Sequence, residues 1–131
     1  MTTNSQIKTA FFARLATISG GYTIAWPGVN FTPPGSGAWL EASHFPIAPL
    51  DEGLANDSST VPRGIFQVSC VTRPGLGTAA IDTAAQAVIA LFPKGRVLSG
   101  SVRVVRAPYS FEAASPSGDK IEIAVTVEYS G

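Results

Sequence analysis

The most constraining feature of this chain is the alternation near its C-terminus, Lys120 to Tyr129. Ile121, Ile123, Val125, Val127 and Tyr129 would face one way, and Glu122, Thr126 and Glu128 the other. Side chains on a strand alternate between faces, so this segment reads as a strand with one buried and one solvated or partner-facing side, as in an antiparallel sheet. Such a strand needs partner strands and a layer to cover its apolar face.

Thr3 and Gln6 have capping-box spacing. Ile7, Ala10, Phe11, Leu15 and Ile18 follow on one helical face, and Gly20-Gly21 supplies a stop. The reading is a helix over about 4–18. Residues 22–37 combine Ile24, Trp26, Val29 and Phe31 with closely spaced prolines and glycines, which predicts a packed irregular segment. Residues 38–45 read as a strand. Pro46, Pro49 and Pro62 bound an irregular arm at about 46–62, with Asp57 to Thr60 as an exposed loop. A second strand is expected over 65–72, with Phe66, Val68 and Cys70 on one face. A helix is expected over 78–92, with Thr78 as N-cap and a buried stripe of Ile81, Ala84, Ala85, Val88, Leu91 and Phe92. Residues 102–112 form a strand interrupted by Pro108, and Ser115 to Gly118 makes a hairpin connection into the last strand. The order is α-β-β-α-β-β. The expected fold is α+β, an antiparallel or mixed sheet with two helices packed on one face.

The 131 residues suffice for one domain, 1–131, with one core. Nine basic and nine acidic residues cancel, and only 14% of the chain is charged. That sparse, neutral surface favours association and lacks the basic excess of tight nucleic-acid binders. No apolar run approaches a membrane span, and no signal core precedes Lys8. Cys70 is the sole cysteine, so neither an internal disulfide nor a cysteine-based metal site can form.

Few residues offer chemistry. Gly75-Leu-Gly77-Thr-Ala-Ala80 has the spacing of a pyrophosphate-binding turn. Arg73-Pro74 interrupts the turn, however, and no acid follows about 20 residues on to hold a ribose. His44 is the only histidine, and adjacent Ser43 would point to the opposite face of the strand. A solvent-facing or hydrogen-bonded strand histidine is the expectation. Asp51, Glu52 and Asp57 lack the ordered ligand alternation and closing Glu of a calcium loop. No enzyme activity, cofactor or metal is expected.

Taken together, several segments carry a family resemblance. They are Ile24-Ala-Trp-Pro-Gly-Val-Asn-Phe-Thr-Pro-Pro34, Trp39-Leu40, Arg63-Gly64-Ile-Phe-Gln-Val68 and Leu91-Phe-Pro-Lys-Gly95, with the first helix and late strands. From about Gln6 to Tyr129 the chain resembles the tail-terminator, or tail-completion, proteins of long-tailed bacteriophages. The resemblance implies a ring-forming subunit, a homohexamer that caps the tail tube and ends its polymerisation. It also implies a joining surface for the head–tail connector, with DNA passing through the ring without sequence-specific binding. Its partners would be itself, the tail tube protein and the connector or head-completion protein. Its place would be the head-proximal end of the virion tail, after synthesis in the host cytoplasm, with no membrane involved. Interface candidates are Leu50, Leu54, Arg63, Phe66, Arg103 and Arg106; lumen-facing candidates are Asp51, Glu52 and Asp57. The alternatives are another tail-tube or head-closure subunit, or a non-enzymatic adaptor module.

Overall fold

The structure is a computed structural model that describes residues 4–18, 22–32, 37–52, 59–73, 79–99, 102–110, 115–117 and 120–130. Its elements are helices α1 (Asn4–Leu15) and α2 (Ala79–Leu91), and strands β1 (Ile24–Ala25), β2 (Trp39–Glu52), β3 (Ser59–Thr72), β4 (Val97–Ser99), β5 (Val102–Val104), β6 (Tyr109–Ser110), β7 (Ser115–Ser117) and β8 (Lys120–Ser130).

The strand with the strictest alternation is a hub of the sheet. β8 pairs antiparallel with β3 from Thr72↔Ile121 to Arg63↔Ser130. Along its other edge lie β7, β6 and β5 in succession. The path across the sheet is β1-β2-β3-β8-β5-β4. Because β1 runs parallel to β2 while the other pairs are antiparallel, the sheet is mixed.

The expected element order therefore gains short strands. Two- and three-residue pieces carry no periodic signal, so β1, β4, β6 and β7 do not stand out in the sequence. The strand expected over 102–112 is two pieces, β5 and β6, on either side of Pro108. Both helices are present. The first ends at Leu15 because Thr17 and Ile18 donate to Arg14 and Leu15 in a tightened last turn, each an i to i−3 bond of 3.0–3.1 Å.

The segment expected to be an irregular arm is largely strand. β2 continues through Glu52, and β3 begins at Ser59, in the register Leu50↔Val61, Asp51↔Thr60 and Glu52↔Ser59. The prolines that suggested irregularity sit where a ladder tolerates a missing N–H. Pro46 lies where β1 no longer pairs with β2, Pro49 falls in the register shift between Ile47 and Leu50, and Pro62 lies beyond the last β8 pair.

The core occupies one face of the sheet. Leu40 and Ala42 of β2, Phe66, Val68 and Cys70 of β3, and Ile123, Val125 and Val127 of β8 are buried there. Against them pack Ile7, Phe11 and Leu15 of α1, and Ile81, Ala84, Ala85 and Val88 of α2. Phe11 is central: it stacks on Phe66 at 4.3 Å and lies 5.4 Å from the rings of both Phe92 and Tyr129. Burying each large apolar side chain contributes about 1.5–3 kcal/mol. Arg14 joins the helices by donating its Nε–H to the Leu91 carbonyl at the end of α2, 3.0 Å away. Gly95 then turns the chain at φ +87, its N–H donating to Val104 at 2.7 Å, which seats the turn beside β5.

Candidate assembly interface

With both helices on one face, the other face of the sheet stays open at the end where β2, β3, β8 and β5 meet. Register fixes two rows across it. One runs Ile47–Arg63–Ser130–Arg103–Val97, and the next runs Phe45–Ile65–Glu128. Val105 closes the second row by donating its backbone N–H to the Glu128 carbonyl at 3.0 Å. An open antiparallel face is usually polar. Here Phe45 is 48% exposed, Ile47 51%, Val105 42% and Tyr109 44%. A groove of about 300 Å³ runs between Ile47, Ile65, Val105 and Glu128. Contiguous exposed apolar side chains rimmed by charge mark a surface that meets another molecule.

The rim is mainly cationic. Arg63 and Arg103 are exposed in the same row. Arg106 donates from a guanidinium nitrogen to Glu128 Oε2 at 2.9 Å, and its guanidinium also lies 5.8 Å from the Tyr109 ring centre. The hydrogen bond to Glu128, then its charge, raises the already high Arg106 pKa. Alternation along a continuous strand would place Arg103 and Arg106 on opposite faces. The chain leaves β5 at Val104 and bends at Arg106, so the ion pair holds Arg106 on the same open face.

Among the interface candidates, Arg63, Arg103 and Arg106 thus converge. Phe66 does not: it is fully buried, stacked on Phe11, because it shares the core face with Val68 and Cys70. Leu50, Asp51 and Glu52 lie on the extension of β2. Leu54 and Asp57 fall outside the described residues, as do Gly75 and Gly77 of the glycine motif. Sequence reasoning missed Phe45, Ile47, Val105 and Tyr109. The available signal was phase, since Phe45 and Ile47 are apolar at positions out of step with Leu40, Ala42 and His44.

Around the edge of β2 lies a polar site built on Gly64. Tyr129 crosses above this glycine, and its Oη meets His44 Nε2 at 2.7 Å. Burial, then the nearby Lys8 charge, lowers the His44 pKa, and burial raises that of Tyr129. Both shifts favour neutral partners joined by a hydrogen bond. Beside them Ser5, Lys8, Pro27, His44 and Pro46 line a cleft of about 340 Å³. Ser43 sits on the opposite strand face, so it forms no nucleophile–base pair with His44. Among the described residues no group of three His, Cys, Asp or Glu side chains could hold a metal ion.

An α+β subunit whose helices pack on one sheet face while the other displays an apolar, arginine-rimmed groove has a surface suited to contact with another molecule. The comparisons with known proteins make that class specific. A family profile described as phage tail terminator protein matches residues 6–129. The chain belongs to this family, and is accordingly a structural protein of the virion tail. One solved structure is 26% identical to it, covers 99% of this chain and 96% of its own, and superposes with a TM-score of 0.77. Another, titled as the virion of a native gene transfer agent (GTA) particle, shares the fold at a TM-score of 0.59 and 18% identity, over 97% of this chain and 96% of that one. No curated protein matches the chain.

Proposed function

We propose that this chain caps the phage tail tube as a ring, ends tube polymerisation, and presents its other side to the head–tail connector. The observation that carries this reading is the tail-terminator match across residues 6–129. The open groove beside Arg63, Arg103 and Arg106 supports it, because a ring subunit must meet a copy of itself through a surface that its own fold leaves uncovered. The ring is a homohexamer at the head-proximal end of the tail, assembled in the host cytoplasm. DNA passes through it without sequence-specific binding, which suits a formal net charge of zero.

Growth of purified tail-tube subunits tests the reading. Added in substoichiometric amounts, the chain halts elongation and decorates tube ends as single rings. Tubes that keep lengthening, or copies that add along the tube wall, would refute it.

A further inference from the structure

We propose that the edge of β2 around His44 is a strand-docking site, and that it takes a short extended segment of a partner protein with an acidic residue between two apolar ones. The site opens on the helix side of the sheet, away from the arginine-rimmed groove, and does not depend on the ring reading.

The first observation is an edge that the fold begins to cover and then leaves. β1 pairs with β2 only at Leu40 and Glu41. Val29 then donates its N–H to the Trp26 carbonyl at 3.2 Å, and the Trp26 ring packs on Phe12 at 4.9 Å, so the chain turns off the edge. Leu40 donates to the Thr23 carbonyl at 2.9 Å, so its backbone groups face this edge. Those of Ala42, His44 and Pro46, in step with it along the strand, face the same way. Among the described residues, no backbone group pairs with His44 on that side. Such an edge accepts an added strand. Pro46 has no N–H to give, so the added ladder ends there and His44 supplies both a donor and an acceptor. A three-residue segment centred opposite His44 matches what the edge offers.

The second observation is what flanks that position. Ser5, Lys8, Pro27, His44 and Pro46 line a cleft of about 340 Å³ along the edge. Lys8 lies near enough for its charge to act on the His44 imidazole, and among the described residues no carboxylate pairs with Lys8. A side chain docked opposite His44 shares the helix-side face, where a carboxylate gains Lys8 as its counter-charge. The residues before and after it project to the open face, beside Phe45, which is 48% exposed. Apolar side chains there cover that ring, so the recognised pattern is apolar–acidic–apolar. The described strands of this chain that carry the pattern are Leu40-Glu41-Ala42, Ile121-Glu122-Ile123 and Val127-Glu128-Tyr129. All three are already paired within the sheet, so the segment comes from another protein.

Fluorescence anisotropy of the full chain with a labelled, end-blocked peptide Thr-Ile-Glu-Ile-Thr tests this, with amide hydrogen exchange locating the contact. Binding should slow exchange at His44. Lys8→Ala, confirmed as folded by its thermal melt, should weaken binding at least tenfold, and so should glutamine in place of the peptide's glutamate. N-methylation of the three central peptide amides should abolish it. No binding up to about 1 mM, affinity indifferent to the lysine and the glutamate, or protection at Val105 instead of His44 would overturn the proposal. So would a His44 amide that self-association of the wild type alone protects, because a second copy would then occupy the edge.

Discussion

Gly64→Ala should destabilise this fold markedly, although the same change in an unobstructed strand would stabilise it by up to about 1 kcal/mol. A Cβ at Gly64 would lie 2.6 Å from Tyr129 Oη, 2.8 Å from the Phe45 carbonyl oxygen and 2.9 Å from Pro46 Cα. The hydroxyl can swing aside, at the loss of its bond to His44, worth about 1 kcal/mol. The two backbone atoms can move only if β2 parts from β3. Overpacking of this kind costs about 1–3 kcal/mol, so after the Gly-to-Ala gain is subtracted the net destabilisation is about 1–3 kcal/mol. For a chain of this length that lowers Tm by about 4–12 °C. Differential scanning calorimetry of wild type, Gly64→Ala and Gly64→Ala/Tyr129→Phe separates the contributions. The double variant should recover little, because the backbone contacts remain. A Gly64→Ala protein melting within about 2 °C of wild type would refute the reasoning.

Other outcomes follow from the core and its titrating groups. Phe11→Ala removes the ring that touches Phe66, Phe92 and Tyr129, and should cost about 3–5 kcal/mol in urea unfolding. Folding holds the His44 pKa below its ordinary 6.5, so the unfolded chain takes up that proton first. Stability should therefore be full above about pH 6.5 and fall as pH drops through the window below it; Lys8→Ala should narrow that loss, and a flat profile from pH 8 to 5 would contradict the assignment. Burial pushes the Cys70 thiol up to about 12, so the folded protein should resist a thiol reagent at pH 8 and react fully once unfolded. Phe45→Ser/Ile47→Ser should leave Tm nearly unchanged yet weaken self-association, because both side chains are about half exposed in the lone chain.

What the sequence conveyed depended on whether a signal repeats over several residues. Ile121 to Tyr129 alternates five times on one face, and the Ile81–Val88 stripe covers two helical turns, so β8 and α2 emerge with their buried faces correct. Pro46, Pro49 and Pro62 misled because a proline reports a missing donor, not whether the ladder at that position needs one. Phe66 was misplaced among interface residues for a related reason. Its own strand alternation marked a face, but only the stacking of Phe11 above it identifies that face as the core. The open groove was harder still. Phe45, Ile65 and Val105 become neighbours only through the register of three strand pairs, and Arg106 joins them only through a bend after Val104.

The central claim is that the chain ends the tail tube. Its most direct test is a cryo-electron microscopy reconstruction of intact virions carrying this chain, with its density assigned by side chains such as Trp26, Trp39 and Tyr129. The account predicts one ring of this chain per tail, between the last tube ring and the connector. Copies repeated along the tube, or none at the head-proximal junction, would contradict it.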